Sequence, residues 1–224
     1  KPEVIYNTAT GFTADTFEQV TAADPTQIIA VNQAVDARTK ESLEEIAPTT
    51  VKPNGYEDWQ VPWKKQVETI ADAVGKEDEG DKLIDDTEKA FEEFRHEHAE
   101  LQDKSAAIVM PYDGKIGLYT EEDGRGQFIE DLGMEIPDAL QGDGGSFFVD
   151  IAPENYAKLN QVDYLFVLDY DGSSAVLKKD KTFQGLDIVK DGRVRYLDTD
   201  TGNAMSMPNP VTIPWAVDKF EEKL

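Results

Sequence analysis

The residues best suited to chemistry in this chain are an arginine and its tyrosine neighbours. Arg125 lies in "EEDGRGQF", between two glycines and just ahead of a predicted helix. A guanidinium stays charged and offers forked hydrogen bonds to an anion. Flanking Gly124 and Gly126 let main chain approach a ligand closely. Tyr119 precedes Arg125 by six residues, and Tyr112 follows the apolar run "SAAIVM". Tyrosine packs on aromatic rings, or its phenolate ligates ferric iron. Tyr170, after Asp169, is a second-half equivalent. Asn32 and Gln33 close another apolar run and could donate hydrogen bonds or form a turn. Trp59 and Tyr56 could wall a site or staple the helix that follows. Each has a plainer reading: Arg125 could be a solvated cation neutralising Glu121, Glu122 and Asp123, and the tyrosines partly buried strand ends.

Arginine is scarce, with Arg38, Arg95, Arg125, Arg193 and Arg195 the full set. Acidic residues number 46 against 22 basic, a formal charge of −24, which argues against nucleic acid as a partner. The chain contains no cysteine, so disulfides and thiolate metal sites are excluded. No apolar run is long enough to span a membrane. His96 and His98, the only histidines, stand two apart on a predicted helix and so do not share a face. No resident metal or cofactor is expected. No G-x-G-x-x-G, P-loop, G-x-S-x-G or cysteine nucleophile is present, so an α/β enzyme would be one without a recognisable motif. A purely structural or adhesive protein finds no particular support in buried α/β strands.

The elements that must carry these residues alternate. Strands are expected at 3–8, 26–31, 105–110, 115–120, 163–169 and 193–198. Helices are expected at 14–24, 36–46, 61–74, 79–102, 126–133, 153–160, 173–180 and 212–224. Residues 142–146, "GDGGS", read as a loop. This is the grammar of parallel sheets covered by helices. The 61–74 helix has Pro62 in its first turn and Gly75 past its end, with Trp63, Val67, Ile70 and Val74 on one face. The 79–102 helix is predicted to be a continuous spine that contacts both α/β halves through Leu83, Phe91, Phe94 and Leu101. The expected organisation is 1–58 as part of one α/β lobe, 59–103 as helical connector and 104–224 as a second lobe. One sentence is written twice: "EQVTAADPTQIIAVN" from Glu18 and "ENYAKLNQVDYLFVLD" from Glu154 each place a helix ahead of a buried strand.

The series "FEQVTAADPTQIIA", "EEIAPTTV", "IADAVGKEDEGDKLIDD", "GRGQFIEDLG" and "APENYAKLNQVDYLFVLD" resembles the ferric-siderophore and cobalamin substrate-binding proteins of ABC importers. The resemblance covers essentially the whole chain. It implies two doubly wound α/β lobes bridged by one long helix. The family's opening strand–helix–strand and export signal have no counterpart here, so the N-terminal lobe is expected to be incomplete. The family's function is to capture an iron chelate outside the cytoplasm, in an inter-lobe cleft, and deliver it to a membrane permease. The implied protein is a monomeric, non-enzymatic binder, periplasmic or a surface lipoprotein, anchored through a missing N-terminal part. Arg125 matches the family's cleft arginine, and Glu18 and Glu154 match its permease-docking positions. A glutamate in a helix's first turn is also explained by the helix dipole. Ferric catecholates and citrates are anionic, which suits Arg125. Haem and cobalamin are alternative cargoes. Met205 and Met207 raise haem, although such residues more often fill loops or cores.

Overall fold

The computed structural model describes residues 11–224, so the strand expected at 3–8 lies outside the described residues. The chain divides after Gly80 into two compact units.

In the first unit, α1 (Ala14–Ala22) starts from Thr13, whose hydroxyl and main chain exchange hydrogen bonds with Thr16. β1 (Ile28–Ala30) pairs in parallel with β2 (Thr49–Val51), and α2 (Ala37–Glu44) connects them. Asp36 caps α2, and Leu43 is its buried anchor. α3 (Trp63–Val74) begins immediately after Pro62 and stops at Gly75, whose φ of 65° is left-handed. Trp63 and Ala71 are its buried residues, whereas Ile70 and Val74, expected on the inner face, are exposed.

α4 (Glu77–Glu97) is one unbroken helix across the unit boundary, about 32 Å long at 1.5 Å per residue. It stops short of the expected 102. His98 leaves helical geometry, and Ala99–Leu101 form a 3-10 turn. Phe91, Phe94 and Leu101 are buried as expected, but Leu83 is 49% exposed. The apolar spacing is therefore used only along the later turns.

The second unit holds a five-stranded sheet in the order β5-β4-β3-β6-β7. Its strands are β3 (Ala106–Tyr112), β4 (Lys115–Tyr119), β5 (Phe148–Ile151), β6 (Tyr164–Asp169) and β7 (Val194–Asp198). β3, β6 and β7 run parallel, while β4 is antiparallel to β3 and β5. The middle of β6 is buried throughout, as a parallel strand covered on both faces must be. One face carries Ala107, Val109, Ile116, Leu118, Leu165 and Val167 into a core with Tyr156, Leu159 and Phe183. The other face meets an aromatic layer in which Phe220 lies 4.5 Å from Phe166 and 6.1 Å from both Phe94 and Phe128. That layer comes from α4, α5 (Gly124–Asp131) and α10 (Thr212–Glu221).

Residues 175–190 form three short helices, α6 (Ala175–Lys179), α7 (Lys181–Gln184) and α8 (Asp187–Lys190). α9 (Thr199–Ser206) follows β7 directly, capped by Asp198. Pro153–Gln161 is a 3-10 helix. The two echoed segments therefore differ locally: Glu18 sits in the second turn of α1, whereas Glu154 is the second residue of the 3-10 stretch. The helix-dipole explanation fails for Glu18.

His98 joins α4 to the end of α10. Its Nε2 lies 2.9 Å from Glu221 and its Nδ1 3.4 Å from Glu100. Burial opposes charging of the ring, but the two carboxylates outweigh it and hold the pKa above its ordinary value. The resulting stabilisation is complete below the unfolded value of about 6.5 and is lost as pH rises through the folded pKa. His98→Gln should lower the melting temperature at about pH 5.5 by roughly 2–4 °C, on the scale of ~1 kcal/mol, and much less at about pH 9. Equal losses at both pH values would contradict a charged pair.

Candidate ligand-binding site

The sheet register brings the candidate residues together. Tyr119, the last residue of β4, pairs directly across the ladder with Phe148 of β5. Cross-strand partners share a face, and these rings meet edge-on at 5.2 Å. Tyr112 reaches the other side of Phe148 at 5.4 Å. Gly117 makes this possible, because a Cβ there would lie 1.9 Å from the Phe148 ring. The three rings form an aromatic ledge in which Tyr119 is buried and Tyr112 and Phe148 are half-buried.

Beyond Tyr119 the chain turns sharply into α5. Asp123 caps the helix by accepting from the Arg125 main-chain N–H at 2.8 Å. The Arg125 side chain folds back on the same carboxylate. Its Nη1 donates to Oδ1 at 2.9 Å and to Oδ2 at 3.1 Å. Its Nη2 donates to the Tyr170 hydroxyl at 3.4 Å. The guanidinium carbon lies 4.0 Å from the centroid of the Tyr119 ring, a cation–π stack. The arginine side chain is 15% exposed and that of Asp123 8%. Tyr170 immediately follows β6, and Gly202 of α9 leaves room for its hydroxyl.

Electrostatics follow from this burial. Burial opposes the Arg125 charge, but Asp123 and the two tyrosines outweigh it and raise its pKa. Burial also pushes the Asp123 carboxyl up, with Arg125 opposing. Tyr119 is pushed up to about 12, chiefly by burial. Burial thus opposes formation of a phenolate at Tyr119. The Arg125 Nε is buried with no hydrogen-bond partner.

Arg125 therefore meets Tyr119 and Tyr170 directly, and Tyr112 joins them through Phe148. The plainer reading of Arg125 holds in part: the guanidinium does neutralise Asp123, but it is buried rather than solvated. The remaining candidates lie in the first unit or elsewhere. Asn32 uses its side-chain oxygen to accept from the Val61 N–H at 3.2 Å, a structural tie. Trp59 is 38% exposed, and its φ of 68° marks a tight turn. Glu18 and Glu154 are exposed. Met205 is fully buried inside α9, which removes it as an axial ligand at an open site, while Met207 is exposed.

The sequence reading missed Phe148 and the anchoring role of Asp123. The run "SFFVD" after the glycines was a short strand signal, and Asp before "GRGQF" was an N-cap signal.

Comparison with known proteins agrees with this architecture. A family model described as periplasmic binding protein matches residues 7–201. No curated protein sequence matches the chain. Among solved structures, the iron uptake ABC transporter substrate-binding protein PiaA from Streptococcus pneumoniae TIGR4 is 26% identical, with a TM-score of 0.78, over 92% of this chain and 72% of that one. PiaA in complex with ferrichrome is 25% identical, with a TM-score of 0.79, over 92% and 71%. Staphylococcus aureus SirA complexed with staphyloferrin B is 22% identical, with a TM-score of 0.72, over 92% and 74%, and shares the fold. A match across most of the chain, together with a covered α/β sheet like that of these binding proteins, assigns this chain to the periplasmic binding protein family.

Proposed function

We propose that this protein is the substrate-binding component of an ABC importer and that its cargo is a ferric siderophore. It acts as a binder and not as an enzyme, outside the cytoplasm, as a periplasmic protein or a lipid-anchored one at the cell surface. The observation that carries this reading is the Arg125 guanidinium stacked 4.0 Å above Tyr119, beside the Phe148 and Tyr112 rings. An aromatic ledge with a guanidinium donor beside it suits a chelate with a broad, partly apolar periphery and outward-facing oxygens. The likeness to PiaA, described as an iron uptake protein and crystallised with ferrichrome, supports the same cargo class.

A thermal-shift panel of ferric siderophores, haem and cobalamin tests the reading. A specific ligand at a hundred times its Kd stabilises the native state by about 2.7 kcal/mol. That stabilisation raises the melting temperature by roughly 5–10 °C in a domain of this size. A ferric siderophore should produce such a shift. Stabilisation by haem or cobalamin alone would replace the proposed cargo.

Glu18 and Glu154 are proposed as the permease-docking residues, one in each unit, and both are exposed as that role requires. Reversing both to lysine should impair uptake in cells and leave chelate affinity unchanged. A parallel loss of affinity would argue against docking.

A further inference from the structure

The cationic groups at the aromatic ledge are already matched within the protein. Arg125 spends Nη1 on both oxygens of buried Asp123. Lys115, 5.9 Å from the Tyr112 ring centroid, pairs with Asp150 at 2.9 Å. Asp150 also accepts from the Tyr112 hydroxyl. The other guanidinium groups of the second unit are committed elsewhere. Arg95 donates to the Asp131 carbonyl, Arg193 to Asp191, and Arg195 to the carbonyls of Gly192 and Leu224. Glu121 and Glu122 stand in the turn that leads to Asp123.

From this we infer that the face selects ferric chelates with no net negative charge, of the tris-hydroxamate type, over polyanionic catecholates and citrates. The inference rests on the siderophore reading and narrows it. A polyanion finds the Arg125 charge already neutralised by Asp123, and to gain that charge in full it would have to draw the guanidinium away. That would leave a carboxylate with almost no access to water, unpaired and beside a like charge. A chelate of zero net charge makes no such demand. It can pack on the rings and accept from the Nη2 proton that Tyr170 does not take, while the Arg125–Asp123 pair stays whole. The net charge of −24 adds long-range repulsion against anions. The expectation that Arg125 serves an anionic chelate treated its charge as free, and in the fold it is not.

The test is a fluorescence titration of the protein with two probes, a neutral ferric tris-hydroxamate and a trianionic ferric tris-catecholate. Wild type should prefer the hydroxamate by at least about a hundredfold, as one buried like-charge contact would give. Asp123→Ser keeps a capping oxygen but releases the Arg125 charge, and should narrow the preference by about tenfold or more. Asp150→Asn is solvent-exposed and carries little folding risk. It frees Lys115 and should shift the preference the same way by a smaller factor. Equal or tighter wild-type binding of the catecholate would overturn the inference and leave the siderophore reading standing, as would an unchanged preference in both variants. Binding of neither chelate would overturn the inference, and the siderophore reading falls with it when no ferric siderophore in the thermal-shift panel stabilises the protein.

Discussion

Arg125→Ala should remove most of the affinity for the ferric chelate and also lower the stability of the free protein. The two losses share one cause. The guanidinium neutralises Asp123, which is 8% exposed, and truncation leaves that carboxylate without its cation. Breaking a buried pair by removing one member costs about 3–5 kcal/mol. At this chain length that corresponds to a melting temperature lower by roughly 6–20 °C. Affinity should fall by about 2–4 kcal/mol, because the ligand loses its guanidinium donor and meets an uncompensated carboxylate. Arg125→Lys should recover part of the stability and less of the affinity, since an ammonium supplies charge but not a planar fork to stack on Tyr119. In a double-mutant cycle, Asp123→Asn in the Arg125→Ala background should restore stability relative to Arg125→Ala alone. An Arg125→Ala protein with wild-type melting temperature would show that the pair contributes nothing to the fold.

Gly126→Ala should be nearly as damaging although it adds one methyl group. A Cβ at this position would lie 1.9 Å from the carbonyl oxygen of Thr120 and 2.5 Å from its carbonyl carbon. These are main-chain atoms, so no side-chain rotation relieves the clash. The turn cannot drift either. The Thr120 hydroxyl donates to the Ser146 carbonyl at 2.6 Å, its N–H donates to Phe147 at 3.2 Å, and its carbonyl accepts from Asp123 at 3.1 Å. Overpacking of this kind costs about 1–3 kcal/mol and occasionally more, and the tightness here places the expectation near 3 kcal/mol. Any relief must shift the start of α5, so Arg125 loses its alignment over Tyr119 and affinity falls with stability. Chemical denaturation and chelate titration of the same variant measure both. A midpoint within error of wild type would mean that the turn is far more compliant than its hydrogen bonds imply.

What the sequence made legible follows from how locally each feature is encoded. "YLFVLD" is apolar at every central position, and no other arrangement buries such a run as simply as a covered parallel strand. α3 was bounded by Pro62 and Gly75, residues whose allowed torsions specify a start and a stop. β5 was missed because "GDGGSFFVD" opens with glycines and pairs only through a partner thirty residues upstream, a non-local fact. α9 was missed because "TDTGNAMS" carries a glycine, two threonines and no apolar stripe. Its stability comes from the Asp198 cap and from packing that buries Thr201, Gly202, Ala204 and Met205. Leu83 fits the helical period but meets too little to be buried, since periodicity names a face and not what covers it.

The site was legible in the same uneven way. The six-residue spacing from Tyr119 to Arg125 spans a strand end and a helix start, and a sharp turn between them places ring and guanidinium together. The role of Asp123 was hidden among three consecutive acidic residues, because only the helix cap separates it from Glu121 and Glu122. Phe148 could not be placed on the ledge without the register that sets it opposite Tyr119.

The central claim is that the Arg125–Tyr119–Phe148 face receives a ferric siderophore. A crystal structure of the protein with a bound ferric tris-hydroxamate tests this most directly. The chelate should pack on the Phe148 and Tyr112 rings and accept a hydrogen bond from Arg125, with the Arg125–Asp123 pair intact. A chelate bound away from Arg125, or against an Arg125 withdrawn from Asp123, would contradict it.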